Sequence, residues 1–147
     1  MSGTATLPGK REQVWELLND PNRLAKCLPG AQRLEPDGPD RYKVSMKFGI
    51  AAFSGSFQGA VELRDKKPPE MLKMLVEGRG APGFVKGEGT IVLHAKGAET
   101  EVKYDGDAQV GGVIASVGQR MIEAAAKKIV QQFFDAAAQE LKSPASQ

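Results

Sequence analysis

The stretch Gly78-Arg79-Gly80-Ala81-Pro82-Gly83, which runs on as FVKGEGTIVLHA through residue 95, decides between two folds. Its glycines have the G-x-G-x-x-G spacing of dinucleotide-binding turns. Such turns lead from a strand into a helix whose N-terminal amides hold a pyrophosphate. Here the residues after Gly83 alternate as a strand, and Pro82 sits between two alternating β segments. GRGAPG is a hairpin loop, and the dinucleotide reading fails.

Outward from that loop, residues 31–110 show period-two alternation broken by turn residues, the pattern of an antiparallel meander. Tyr42, Val44, Met46 and Phe48 alternate with Lys43, Ser45 and Lys47, while Phe53, Phe57, Val61 and Leu63 alternate with polar neighbours. Leu72, Met74 and Val76, then Val85, Ile91 and Leu93, then Val102, Tyr104, Ala108 and Val110 continue the apolar side. With a weak strand at residues 2–7, this predicts about seven strands sharing one apolar face. Before the meander, residues 10–19 place Val14, Leu17 and Leu18 at helical spacing. Asp20-Pro21 reads as the N-cap and first-turn proline of a second short helix, which Pro29-Gly30 ends.

Only residues 112–141 are long enough to cover the sheet, and a single helix is expected there, with Ile114, Met121, Ile122, Ala125, Ile129 and Phe133 in one arc. The centre line of that arc runs through Gly118, Ala125, Ile129 and Ala136, so the helix is hollow near its start. A helix-interior glycine costs about 1 kcal/mol relative to alanine. Two offsets fit: close approach of helix to sheet, or space left for a ligand. On the second reading, the cavity is lined by Phe48, Phe57, Met74, Val85, Tyr104, Ile114, Val117, Gly118, Met121, Ile122 and Ala125.

Successive turns of a meander alternate between the ends of the sheet. Residues 35–41, 65–70 and 95–99 are polar and charged, whereas 48–53, 78–84 and 110–114 are apolar and glycine-rich, with little charge apart from Arg79. The second end reads as a portal built from Ile50, Phe53, Gly80, Pro82, Phe84, Gly111 and Gly112. The alternative is that Phe48, Phe53 and Phe84 fold inward as core.

Catalytic readings are weaker. His94, the sole histidine, has the polar parity of its strand, and no cysteine or histidine pair has metal-ligand spacing, so neither a metal nor another cofactor is expected. Cys27 beside Leu28 reads as a small hydrophobe, and Asp105 and Asp107 have solvent-facing parity with Lys103. Tyr42 and Tyr104 are the evident polar groups of the inner face. At 147 residues and 41% hydrophobic content, the chain suits one domain over residues 1–142 with a short polar tail at 143–147. The net charge of +2 is interspersed, which argues against nucleic acid as a partner. A lone cysteine and the lack of a leader or long apolar run predict a cytoplasmic protein that can still visit a membrane surface.

The order of elements resembles the α+β START-like helix-grip fold: a strand, two short helices, a curved meander and a long terminal helix. Within that superfamily the chain resembles the CoxG-like family, named for the G subunit of carbon monoxide dehydrogenase. The likeness is carried by REQVWELLNDPNRLAKCLPGAQRLE, EGRGAPGFVKGEGTI and YDGDAQVGGVIASVGQRMIEAAAKKIVQQFF, which span nearly the whole chain. The combination of Leu28-Pro29-Gly30, Gly111-Gly112 and Val117-Gly118 is its more specific part. The resemblance implies a non-enzymatic accessory protein of a molybdenum hydroxylase such as carbon monoxide dehydrogenase. It also implies a hydrophobic small molecule, quinone or lipid-like, as ligand, and peripheral contact with the inner membrane face. A pure adaptor with a filled core is the competing expectation. An enzyme on the same fold is the weakest, because the inner face offers no base or metal set.

Overall fold

The computed structural model describes residues 1–48 and 55–142. Strand β1 (Ser2–Pro8) leads into α1 (Arg11–Asn19) and α2 (Pro21–Cys27). Six strands then follow in succession: β2 (Ala31–Pro36), β3 (Arg41–Phe48), β4 (Gly55–Lys67), β5 (Met71–Gly80), β6 (Gly83–Lys96) and β7 (Glu99–Gly111). A 3-10 segment (Gly112–Val117) and α3 (Gln119–Lys142) complete the chain's described part. The strands form one antiparallel sheet in the order β1-β7-β6-β5-β4-β3-β2, curled into a half-barrel.

Close backbone approach accounts for the curl. A Cβ on Gly59 would overlap the Glu77 carbonyl, and one on Gly106 would lie 2.5 Å from the Glu88 oxygen, so neither position admits a side chain. The two short helices start as their residues dictate. The Asp20 carboxylate accepts from the backbone N–H groups of Asn22 at 2.9 Å and Arg23 at 3.4 Å, a cap worth about 1 kcal/mol. Val14, Leu17, Leu18, Leu24 and Cys27 go into the core with Leu72, Leu93 and Val102, toward the end of the sheet that carries the polar turns.

Residues 112–141 do not form one helix. Gly118 has φ +94°, in the region that favours glycine, and it breaks the segment into the 3-10 piece and α3. The helix is also turned. Its buried arc centres on Phe133, with Ala125 and Ala137, roughly 60° from the expected line at 100° per residue. The reason is that α3 must also cover α2 and β1, which its C-terminal half meets. As a result Met121 stands 47% exposed, and Val117, in the 3-10 segment before the break, is 40% exposed. No helix among the described residues is long and apolar enough to cross a membrane.

Charge fastens α3 to α2. The Arg23 guanidinium lies 3.5 Å from the Glu140 carboxylate, both well covered, and donates to the Glu140 carbonyl at 3.4 Å, while the exposed Lys26 approaches the same carboxylate at 3.8 Å. Glu140→Ala should therefore lower unfolding free energy by roughly 2 kcal/mol, and Lys26→Ala by less than about 1 kcal/mol, measured by urea denaturation. Burial, with Glu140 nearby, pushes the Cys27 thiol from 9.0 up to about 12. Between those values the folded chain keeps a proton that the unfolded chain loses, so this contribution to stability is whole below pH 9 and is lost as pH rises toward 12. The unfolding free energy from urea denaturation should fall between about pH 9 and about pH 10.5 by up to about 1.4 kcal/mol per unit, and Cys27→Ala should flatten that slope.

Candidate functional site

The concave face of the half-barrel is read row by row from the strand register. Across β5, β6 and β7 the inward residues are Leu72–Ile91–Tyr104, Met74–Gly89–Gly106, Val76–Gly87–Ala108 and Gly78–Val85–Val110. In the two middle rows, β6 and β7 carry nothing larger than a methyl group. The sheet is stripped of side chains there, between a wall of Ile91 and Tyr104 and a wall of Val85 and Val110.

Over that bare floor α3 stands away from the sheet and encloses a cavity of about 640 Å³. Ile122, Ala126, Ile129 and Val130 form its roof, and Met74 and Val76 bound it on the β5 side. Tyr104 and Phe134 close one end as an aromatic pair with centroids 5.3 Å apart, while Phe57 and Met46 lie toward β4 and β3. A volume of this order suits a drug-sized apolar ligand. Ala108 on β7 and Gln119, Glu123 and Lys127, four residues apart on α3, are exposed members of the lining. The cavity therefore meets solvent between β7 and the first turns of α3. Gln119 donates to the Glu123 carboxylate there at 3.2 Å.

Of the residues singled out in the sequence, the fold brings Phe57, Met74, Val85, Tyr104 and Ile122 around this cavity. Ile114 and Ala125 are buried in the core without bordering it, and Val117, Gly118 and Met121 lie at the surface. A Cβ on Gly118 would meet nothing within 4 Å, so its role is the chain break and not a hollow in a helix. Of Phe48 only the backbone, at the end of β3, is described, and Ile50 and Phe53 lie outside the described residues.

The glycine-rich turns do converge at one end. Ile114 donates its N–H to the Pro82 carbonyl at 2.9 Å, and Gly83 packs on Gly111 and Gly112. Yet none of Gly80, Pro82, Phe84, Gly111 and Gly112 borders the cavity. A Cβ on Gly80 would overlap the Ser56 carbonyl, and Phe84 lies in the outward row Arg79–Phe84–Gly111, its ring 5.5 Å under the Arg79 guanidinium carbon and covering Gly111. Glycine at these positions permits tight packing of the sheet end.

His94, Asp105 and Asp107 are exposed, and Cys27 is buried with its thiol held neutral. Among the described residues no group of three or more His, Cys, Asp or Glu is placed to hold a metal ion. A second depression of about 600 Å³ lies on the convex face beside Arg41, whose guanidinium is already held by Asp37, Glu62 and Glu77 at 3.3–3.4 Å. The sequence reading missed the floor glycines, Gly87, Gly89 and Gly106. Their signal was parity: each falls on the inward register of its strand, where an apolar residue would ordinarily stand.

No curated protein matches the chain. A conserved protein from Geobacillus kaustophilus is 41% identical, superposes with a TM-score of 0.92, and is matched over 96% of this chain and 93% of its own. A START superfamily protein from Mycobacterium smegmatis has a TM-score of 0.74 at 15% identity, over 97% and 96% of the two chains. The di-domain ARO/CYC protein StfQ of the steffimycin biosynthetic pathway has a TM-score of 0.69 at 14% identity, over 96% of this chain and 44% of that one. The last two establish a START-like fold alone. The profile of the CoxG family, the G subunit of carbon monoxide dehydrogenase, matches residues 3–142. The chain belongs to that family.

Proposed function

We propose that the protein is a non-enzymatic carrier that holds an apolar small molecule, quinone or lipid-like, between the sheet and α3, and serves a molybdenum hydroxylase of the carbon monoxide dehydrogenase type. The observation that carries this reading is the cavity of about 640 Å³. Its wall is built of methionine, aliphatic and aromatic side chains, with polar groups gathered at the mouth. The open space under α3 supports this reading over that of an adaptor with a filled core. The carboxylates Asp105 and Asp107 belong to the outward register of β7, leaving the Tyr104 hydroxyl as a polar group on the inner face. That chemistry suits holding and orienting a ligand more than transforming it.

Delivery requires that the loaded mouth face a membrane or the partner enzyme. Val113 and Val117, in the 3-10 segment, are 72% and 40% exposed, and Met121, in the first turn of α3 between the mouth residues Gln119 and Glu123, is 47% exposed. In this reading they make a greasy corner that touches the membrane surface, gaining about 25 cal/mol per Å² of apolar area withdrawn from water. The family's description as the G subunit of carbon monoxide dehydrogenase supports such a dehydrogenase as the partner.

An organic extract of freshly purified protein, analysed by mass spectrometry, should contain an apolar compound at up to one equivalent. Its absence, together with failure to take up any apolar fluorophore, would leave only the adaptor reading. Val117→Asp and Met121→Asp should slow transfer of a lipid-analogue fluorophore between vesicles and protein about tenfold, a barrier change of roughly 1.4 kcal/mol. Both side chains are already exposed, so melting temperatures should stay unchanged. Unaltered transfer by both folded variants would place the exchange surface elsewhere.

A further inference from the structure

We infer that the cavity selects for a flat ring body lying on the bare floor of β6 and β7, with Gly87 and Gly89 as the residues that set this selectivity. The inference rests on the carrier reading and names the shape of its ligand.

Glycine in the interior of a strand weakens it, and its usual justification is close approach of another backbone, a bend, or a ligand. Gly106 has the first: a Cβ there would meet the Glu88 carbonyl. Gly87 and Gly89 do not. Neither has a positive φ, and a Cβ on either would sit in ordinary contact, 3.8 Å from the Asp107 oxygen and 3.6 Å from the Asp105 oxygen. Both positions would accept a side chain, which would stand in the cavity. What their absence creates is a patch of exposed peptide planes, four residues on two adjacent strands, with Ala108 supplying one methyl. At about 3.3 Å per residue, the walls at Tyr104 and Val110 are roughly 20 Å apart along β7, while neighbouring strands are only about 4.8 Å apart. The floor is long, narrow and free of side chains beyond one methyl.

Such a surface distinguishes ligands by shape. A rigid ring system gains contact over its whole face against peptide planes, with Tyr104 and Phe134 available at its end for tilted aromatic contact. A flexible chain gains nothing special from a floor without side chains, because it can follow any groove.

The test uses two probes of equal carbon count on the full chain: 1-aminoanthracene, which is rigid and planar, and tetradecan-1-ol, which is flexible. The first is titrated by its own fluorescence and the second by competition and calorimetry. The wild type should bind the ring at least about tenfold tighter than the alkanol. Gly89→Ala and Gly89→Val should weaken ring binding in graded steps, the valine by about tenfold or more, and Gly87→Val should do likewise, while alkanol affinity changes less than about threefold. Melting temperatures should hold for these variants, whereas Gly106→Ala should lower it and so marks what a packing glycine looks like. Equal losses for both probes, or ring affinity unmoved by valine at either position, would overturn the selectivity while leaving the carrier intact. If the wild type binds neither probe, the carrier reading falls as well.

Discussion

Backbone presses on backbone where β4 meets β5 at Gly59 and where β6 meets β7 at Gly106, and the shape of the molecule depends on those two approaches. They allow the meander to curl into a half-barrel whose concave side is deeper than one helix can fill. A flatter sheet would have let α3 lie down on its apolar face and exclude everything else. With the curl in place, α3 touches the first strand and the short helices and leaves the middle of the sheet uncovered.

The helix consequently divides into two regimes. Its C-terminal half is fastened by Phe133, Ala137 and the Arg23–Glu140 contact, and it belongs to the same core as α1 and α2. Its N-terminal half bridges open space, touching the core through Ala125 and presenting Ile122, Ala126, Ile129 and Val130 to the cavity. Dispersion contacts missing from one side of those residues are what an apolar guest of the proposed kind would restore, so that ligand and fold would stabilise each other. The 3-10 segment ties this loosely packed half to the sheet through Ile114, which is buried and bonded to the Pro82 carbonyl.

Much of this was legible in the chain. Period-two alternation from Arg41 onward announces the strands because one face is apolar and the other charged, and Asp20-Pro21 announces α2 because a carboxylate cap and a fixed first-turn φ are local chemistry. The misreadings have a common source. A hydropathy wheel treats glycine as blank space on a continuing helix, whereas Gly118 adopts a backbone angle that ends the continuity. The same blankness hid Gly87 and Gly89, which are neither apolar nor polar in a binary pattern although their register puts them at the centre of the concave face. For Phe84, loop composition misled where strand parity would have placed it outward beside Arg79. The turn of α3 toward Phe133 depends on α2 and β1, long-range partners that no local pattern contains.

Burial of Cys27 has a use beyond stability. It is the sole cysteine of the chain, and its thiol stays protonated through the neutral range where maleimides and methanethiosulfonates react as thiolate traps. The native sequence is therefore a silent background for site-directed labelling. A spin label at Met121 paired with one on an outward residue of β5 would report the distance between α3 and the sheet directly, in the loaded and the empty protein, without first removing a thiol from the core.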